Sequence, residues 1–484
     1  MERLAEHFGK KGVPFLHALS GESRRTGLDY QKHYRSRIPH VLDADLAFQK
    51  GHRGGGWPFY LIVDAKGRVV YARSTLLSRD FSIPGRLAKV ALGRPVETVR
   101  WQGVDYLATT AKNNGLPGRG ADSAPDLAVI GKSLVATYVR RSRTGSEVNL
   151  SRPGSREDLL VSSPGQDAYD AVVTTAGKDG GWVFWTGLAD SGRYDVFGRR
   201  FAADGELSSP LNLTRSEDDA MSPAAAPDGG GGVWLTYYRW HKMGLASRDK
   251  EVYARRFDGR SWHDEIRLSP EDLPAYEDHT DPAIAAAPDG SVVVAWSWDM
   301  HKSDDPVYRR YQTRYHAEAP TIFGRRVTAR GGRGDLMFLG EAGVDGSPTL
   351  AFGADGRLWC AWSAWSSSGS MTTRSLVVSV TAANGKDRED QQVVSSGAPD
   401  IGIPRLLVRG KTPTVVWSER DAKGVRTLRS SRLEDGWWTK PEILVAEGKP
   451  RCPRVAVVSA NTAWLAFIAG PAHDRQLVLR KLPK

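Results

Sequence analysis

Short runs of apolar residues alternate with turn residues along most of the chain. Residues 281–299, DPAIAAAPDGSVVVAWSWD, show the repeating unit: an apolar run, an Asp-Gly turn and a second apolar run that ends in aromatic residues. Asp and Gly accept the positive φ that a tight hairpin requires. The unit therefore predicts a β-hairpin, and related segments begin at positions 124, 170, 222, 347, 403 and 452.

A second hairpin follows most of these units, with turns such as Asp204-Gly205, Asp258-Gly259 and Asp435-Gly436. Four short strands therefore recur about every 45 to 65 residues. This period is typical of a β-propeller blade, which buries its faces only by stacking on its neighbours. We predict a mainly β chain with a propeller of seven four-stranded antiparallel blades over residues 96–484. Six blades are the alternative, since the first and last copies are the least regular.

The two ends of the repeat array complement each other. The last copy stops after its third strand, at QLVLRKLPK, and residues 97–110 precede the first copy. We predict that residues 97–110 supply the missing strand and so remove an open sheet edge. Each copy also carries one aromatic residue near the end of its second strand, and we predict that these rings pack between blades. They are Tyr138, Trp185, Tyr237, Trp296, Trp362, Trp417 and Phe467.

Charge and composition limit the classes of partner. The 484 residues carry a net charge of +11, and residues 1–95 hold 17 Lys and Arg against 8 Asp and Glu, so little positive charge remains for the propeller. We therefore expect no nucleic-acid partner. The sequence contains no run of 18 apolar residues, so no membrane span is predicted. Cys360 and Cys452 form neither a disulfide framework nor a metal cluster, and no motif indicates a cofactor. We expect a monomer.

Residues 1–95 follow a different, helix-and-strand pattern. Trp57-Pro58 leads into FYLIVDAKGRVVY, two strands joined by a short turn. This order resembles the second half of a thioredoxin-like α/β domain of the peroxiredoxin and thiol oxidoreductase type. The resemblance implies that Pro58 is the cis-proline that faces the reactive cysteines in that family. No Cys precedes Cys360, so this partial domain has no thiolate nucleophile.

Two explanations for the missing cysteine motif remain open. The chain either begins inside a longer gene product or carries a degenerate domain that serves as a scaffold. In the first case we expect an upstream export signal and an extracytoplasmic location.

Acidic residues precede the innermost strand in six of the seven copies. Each lies three or four residues before the Pro, or its equivalent, that opens the strand. If each Asp accepts amide hydrogen bonds in its own turn, its role is structural. If the acids converge at the channel mouth, they form a negatively lined funnel for a cation or for sugar hydroxyls. The six are Asp122, Asp167, Asp219, Asp278, Asp345 and Asp400.

Long aromatic loops join the second and third strands on the same predicted face. Insertions on one face of a repeat array are usually where binding occurs. Aromatic rings beside acids suit a carbohydrate, so a glycan or a protein ligand is predicted here. The candidate contact residues are Trp240, His241, Trp298, His301, Tyr308, Arg309 and Trp365.

The turn followed by Trp in FDGRSW resembles the Asp-box repeats of sialidase-like propellers, although Asp258 and Trp262 are four residues apart and the family's box has five. The resemblance spans residues 120–484 and concerns architecture. Our first interpretation is a non-catalytic binding or scaffold protein. The alternatives are a sialidase-like glycoside hydrolase that uses two acids such as Asp219 and Asp278, or a thiol-disulfide oxidoreductase whose cysteines lie upstream. The sequence assigns no catalytic residue.

Overall fold

The computed structural model describes four strands before residue 125 and most of residues 125–482. All structural statements below concern these described residues, which contain no helix and so no helical membrane span. The gaps after residue 125 are 132, 142–145, 153–157, 244–246, 272–277, 300–320, 342–345, 369–370, 383–387, 422, 460–461 and 471–475.

Two strand pairs are described in residues 1–95. β1 (His17–Ser20) pairs in parallel with β2 (His40–Asp43). β3 (Phe59–Val63) and β4 (Val69–Ser74) form an antiparallel hairpin where FYLIVDAKGRVVY predicted one. Pro58 lies outside the described residues, and the thioredoxin-like domain stays a prediction.

The rest of the described chain forms consecutive groups of antiparallel strands. The first group contains β5 (Asp126–Ile130), β6 (Ser133–Arg141), β7 (Ser146–Ser151) and β8 (Leu159–Leu160). The second contains β9 (Ala168–Thr175), β10 (Gly180–Leu188), β11 (Tyr194–Ala202) and β12 (Leu211–Asn212). The third contains β13 (Asp219–Pro227), β14 (Val233–Met243), β15 (Ser247–Phe257) and β16 (Ile266–Arg267).

The later groups continue this order. The fourth contains β17 (Asp278–Ala286), β18 (Val292–Asp299), β19 (Thr321–Val327) and β20 (Arg333–Glu341). The fifth contains β21 (Thr349–Phe352), β22 (Leu358–Ser368), β23 (Met371–Thr381) and β24 (Arg388–Ala398). The sixth contains β25 (Asp400–Ile401), β26 (Arg405–Arg409), β27 (Thr412–Arg420), β28 (Arg426–Glu434), β29 (Trp437–Trp438) and β30 (Glu442–Val445). The last contains β31 (Arg451–Ser459), β32 (Thr462–Ala469) and β33 (Gln476–Lys481).

The predicted hairpin turns are present. β17 and β18 pair antiparallel across the Asp289-Gly290 turn, and Gly290 has a φ of 80°. Gly356 takes the same role between β21 and β22, with a φ of 81°. A side chain at either position would strain this left-handed backbone, which explains the Gly after each Asp.

The core lies between the strand groups. Each hydrophobic cluster combines buried residues of two consecutive groups: Trp185 packs between the first and second groups, and Trp296 between the third and fourth. Tyr138 belongs to a cluster that joins the first group to the last, so the groups form a closed ring. All seven aromatic residues predicted to pack between repeats are buried, which confirms that prediction.

One strand of each group faces a central cavity of about 620 Å³. These strands are β5, β9, β13, β17, β21, β26 and β31. Antiparallel groups stacked as a ring around a central channel are the arrangement of a β-propeller. Residues 97–110 lie outside the described residues, so their closing strand stays a prediction.

Candidate ligand site at the channel mouth

The predicted acids lie at one end of the strands that line the cavity. Asp219 and Asp278 are the first residues of β13 and β17, and Asp167 directly precedes β9. Asp400 begins β25 and precedes the cavity-lining strand β26. Asp122 and Asp345 lie outside the described residues. The acids of different groups therefore share one end of the ring, which we call the channel mouth.

Three of these acids bind neighbouring parts of the protein. Asp219 is buried, and its Oδ1 accepts a hydrogen bond of 2.9 Å from the Tyr194 backbone N–H in the second group. Asp278 accepts a hydrogen bond of 2.9 Å from Lys250 Nζ. Asp400 lies 2.5 Å from Arg426. These contacts favour a structural role for the three carboxylates, although the partners lie on other strands and not in each acid's own turn.

The aromatic candidates occupy different environments. Trp298 is fully buried and packs on His279, with ring centroids 4.9 Å apart. A fully buried ring offers no surface to a ligand, which removes Trp298 from the candidate set. Trp240 is half-buried beneath Lys250 Nζ, 5.7 Å from its ring centroid. His301, Tyr308, Arg309 and the side chain of Trp365 lie outside the described residues.

His241 is the centre of a polar network within the third group. Its Nδ1 lies 2.7 Å from Asp218 Oδ2, and its Nε2 lies 2.9 Å from Glu251 Oε2. The Tyr253 hydroxyl donates to Glu251 Oε2 at 2.6 Å, and Arg267 Nη2 forms an ion pair with Glu251 Oε1, also at 2.6 Å. The hydrogen bond to Glu251 is the main cause that raises the pKa of His241. Both imidazole nitrogens are therefore committed inside the protein.

A second ring of residues lies about three positions further along these strands. Asp170, Ser222, Asp281 and Cys452 have φ values of 52°, 54°, 53° and 53°. Non-Gly residues rarely hold this left-handed conformation, and a residue before Pro normally prefers an extended backbone. Such strain persists where the surrounding structure fixes it, and it clusters at functional sites.

Hydroxyl groups of neighbouring strand groups bind the two carboxylates of this ring. Ser222 Oγ donates to Asp170 Oδ2 at 3.3 Å, and Ser347 Oγ donates to Asp281 Oδ2 at 2.9 Å. Burial raises the pKa of the Tyr238 hydroxyl, with further increases from Asp170 and Asp281, so this hydroxyl lies near both carboxylates. We call these five residues the mouth site. It brings two carboxylates and three hydroxyls together.

The mouth site lies beside the channel, because Asp170 and Asp281 stand within two residues of Val172 and Pro282, which line the cavity. Asp170 and Asp281 belong to the second and fourth groups, and both side chains are exposed. Confinement by the surrounding walls raises the pKa of Asp170 to about 6, with a further increase from Asp281 and opposing effects from Ser222 and Arg454. The second and fourth strand groups are not neighbours in the ring, so their residues come close to one another only across the ring's axis. The exposure of Asp170 is therefore exposure to the channel.

A charged layer lines the cavity below the mouth site. Asp126, Arg405 and Arg454 occupy equivalent positions on β5, β26 and β31. Arg454 Nε lies 3.3 Å from Asp126 Oδ1, and Asp126 Oδ2 accepts the Val173 N–H at 2.9 Å. Burial raises the pKa of Asp126, and Arg454 partly opposes this effect. The equivalent positions on β9, β13, β17 and β21 are uncharged: Val172, Ala224, Ala283 and Thr349.

The residues of the mouth site are not among the candidates predicted from the sequence. Its residues were visible in the repeats, because Ser222, Asp281 and Ser347 each directly precede a Pro and Asp170 occupies the same repeat position. The predicted candidates are the acids about three residues earlier in each repeat. The residue before each repeat's Pro was the signal that pointed to the ring.

Comparison with known proteins gives remote structural likenesses. No family model and no curated protein matches the chain. A lectin from Burkholderia pseudomallei is 10% identical, with a TM-score of 0.49 over 74% of this chain and 96% of its own. A polysaccharide lyase is 10% identical, with a TM-score of 0.49 over 76% and 90%. A microbial sialidase is 12% identical, with a TM-score of 0.44 over 69% and 73%. The strand groups themselves define the fold of this chain.

Proposed function

We propose that the mouth site binds a polyhydroxylated ligand, a glycan in the first instance, and that the chain is a binding or scaffold protein. The observation that carries this proposal is the pair of channel-facing carboxylates, Asp170 and Asp281, held on left-handed backbone. A carboxylate offers about four lone-pair sites, and at Asp170 the Ser222 hydroxyl occupies one of them. The remaining sites suit the hydroxyl groups of a sugar.

The propeller in this proposal has seven blades, one for each strand group. The strands of seven groups that line the cavity and the closed series of clusters support this count over six. The proposal also keeps the division into a partial thioredoxin-like domain over residues 1–95 and a propeller over residues 96–484.

Glycan-array binding by the full chain, followed by affinity measurement on the best ligand, tests the proposal. We expect Asp170→Asn and Asp281→Asn each to weaken binding about tenfold or more, because charged hydrogen bonds are about twice as strong as neutral ones. Asp179→Asn is the matched control, since Asp179 is exposed at the opposite end of the β9–β10 hairpin. Failure of the full chain to bind any glycan would contradict the proposal.

A glycoside hydrolase is the second candidate, favoured by the pKa of about 6 at Asp170. A carboxylic acid with a raised pKa beside a second carboxylate is the pattern of glycosidic general acid catalysis. In this case Asp170 is the general acid and Asp281 is the second carboxylate. They replace Asp219 and Asp278, whose carboxylates bind Tyr194 and Lys250. Turnover of an aryl glycoside that Asp170→Asn abolishes without a change in melting temperature would favour this candidate. Binding without turnover would favour the first.

The thiol-disulfide oxidoreductase hypothesis stays a prediction. Among the described residues, Cys360 is buried, and burial raises the pKa of its thiol. A buried, protonated thiol is a poor nucleophile. Cys452 is half-buried and, like Cys360, forms no disulfide in the described part of the chain.

A further inference from the structure

Positive charge is concentrated in the last two strand groups. Residues 400–484 contain 16 Lys and Arg against 8 Asp and Glu, whereas residues 96–399 contain 34 Lys and Arg against 40 Asp and Glu. The excess of positive charge over residues 96–484 therefore comes from the sixth and last groups. Clustered charge of one sign raises the local concentration of ions of the opposite sign.

Part of this charge lies at the end of the sixth group that is opposite the channel mouth. β26 runs from the mouth to Arg409. β28 runs in the same direction, because both strands pair antiparallel with β27, and Arg432 lies near its end. We call this end of the groups the base. Arg480 of the last group also reaches the sixth group, where its Nη1 donates to the carbonyl oxygen of Leu444 at 2.7 Å.

A small cavity lies at the base between the sixth and last groups. Its volume is about 40 Å³, and Leu444 and Leu482 supply its apolar wall. A water molecule requires about 10 to 15 Å³ by this measure, so the cavity has room for about three oxygen atoms and excludes a sugar ring. The polar residues of its wall are Arg409, Thr414, Ser430, Ser431, Arg432, Thr439 and Glu442.

Strand pairing brings the two arginines of this wall to one side of the sheet. Arg432 pairs directly with Thr414, and Thr414 pairs with Leu407, two residues before Arg409. Paired residues share a face of the sheet, and so do residues two apart on one strand. Burial lowers the pKa of Arg409, and the neighbouring Arg432 lowers it further. The two guanidinium groups are therefore close enough to repel each other.

The other polar groups of the wall leave this repulsion in place. Glu434 Oε1 binds Arg432 Nε at 2.5 Å from outside the wall. Glu442 is exposed, so solvent screens its charge. Thr414 is buried, and its hydroxyl has no hydrogen-bond partner among the described residues. Buried polar groups are almost always satisfied, so a polar occupant of the cavity is expected.

We infer that the base cavity binds a tetrahedral oxyanion, phosphate or sulfate, either as the free ion or as a monoester. Guanidinium groups present planar sets of N–H donors that suit the oxygens of such an anion. An anion beside Arg409 and Arg432 also relieves the repulsion between them. This site goes beyond the proposed function, because it lies at the opposite end of the strands from the mouth site.

Calorimetric titration of the full chain tests the inference. The probes are sodium phosphate, sodium sulfate and phenyl phosphate at constant ionic strength, with sodium chloride as the control salt. At least one of the three probes should bind at a single site, and chloride should not. Phenyl phosphate that binds as tightly as phosphate would identify a monoester as the ligand. Binding of the inorganic ions alone would identify the free anion.

Variants assign the binding to the wall of the cavity. Arg409→Gln should weaken binding about tenfold or more, because it removes charged hydrogen bonds to the anion. Arg409→Lys keeps the charge but loses the planar donors, so it should weaken binding less, and it guards against a folding defect in the glutamine variant. Lys411→Gln is the matched control: it removes a like charge two residues away, in an exposed turn, and should change the affinity less than about twofold.

Three results would overturn the inference. The first is no binding of any of the three probes, which would show that the cavity holds water only. The second is an equal loss in Arg409→Gln and Lys411→Gln, which would show a general effect of charge. The third is an unchanged affinity in both folded variants of Arg409. None of these results bears on glycan binding at the mouth site, so the proposed function would stand in each case.

Discussion

Arg454 and Asp126 form an ion pair between the last strand group and the first, with Nε 3.3 Å from Oδ1. The same carboxylate accepts the Val173 N–H of the second group. One side chain thus connects three groups where the two ends of the ring meet. Beside it, the Tyr138 cluster provides the apolar contacts across the same junction. The polar and apolar parts of ring closure therefore lie together.

We expect Asp126→Asn to lower the free energy of unfolding by about 1 to 3 kcal/mol. Removal of one partner leaves the guanidinium uncompensated on the cavity wall. The side chains of Arg454 and Asp126 keep 17% and 22% exposure, so the loss should be smaller than for a fully buried pair. Chemical denaturation of the single variants, Arg454→Gln and the double variant measures the coupling. Additive losses would show that the pair does not stabilise ring closure.

The aromatic residues between groups contribute through burial. Trp296 is fully buried, and its Nε1 donates to His279 Nδ1 at 2.9 Å. We expect Trp296→Ala to lower the free energy of unfolding by about 3 to 5 kcal/mol. Trp437 is 74% exposed, and Trp437→Ala should change stability by no more than about 0.5 kcal/mol. Similar losses in the two variants would contradict the assignment of the core to the surfaces between groups.

The repeats and their core could be predicted because their signal is local. Trp296 and its counterparts lie at the end of an apolar run that has the two-residue period of a strand. A turn residue always precedes that run. The partners of Asp219 and Asp278 could not be predicted in the same way. Tyr194 and Lys250 reach them from a neighbouring strand group, and that proximity exists only after the groups have stacked.

The mouth site was missed for a conformational reason. A residue before Pro is expected to be extended, so the sequence pattern does not indicate the left-handed backbone of Ser222 and Asp281. Their left-handed backbone accompanies shifts in strand register between Met221 and Ala224 and between Thr280 and Ala283. A β-bulge redirects side chains in this way, and the local residue pattern does not predict where it occurs.

His241 should make stability depend on pH. Only the imidazolium donates from both nitrogens, so protonation satisfies Asp218 and Glu251 together, beside Arg267 on the same carboxylate. Its folded-state pKa is raised above the ordinary 6.5. The stabilisation should therefore be complete below pH 6.5 and be lost as the pH rises through the raised value.

Melting temperatures across this pH range test the His241 prediction. His241→Gln should remove the decline in stability on the alkaline side and leave the rest of the profile unchanged. The nearby His279 acts on the acid side instead: burial lowers its pKa to about 3 in the folded protein, so it lowers stability as the pH falls below the 6.5 of the unfolded chain. An identical decline in the variant would assign the titration to another group.

Asp170 should also make stability depend on pH, in a more acidic range than His241 does. Confinement raises its pKa from 3.8 in the unfolded chain to about 6 in the folded protein, so the folded state binds the proton more tightly. Its contribution to stability is then greatest below pH 3.8 and is lost as the pH rises through about 6. Asparagine cannot ionise, so the stability of Asp170→Asn relative to the unsubstituted chain should rise through this window and level off above it. Asp179→Asn, at an exposed turn, should show no such rise. If the stability difference between Asp170→Asn and the unsubstituted chain did not change with pH, this carboxylate would be hydrated like a surface group. The channel mouth would then lack the confinement on which both its acid chemistry and its binding of sugar hydroxyls depend.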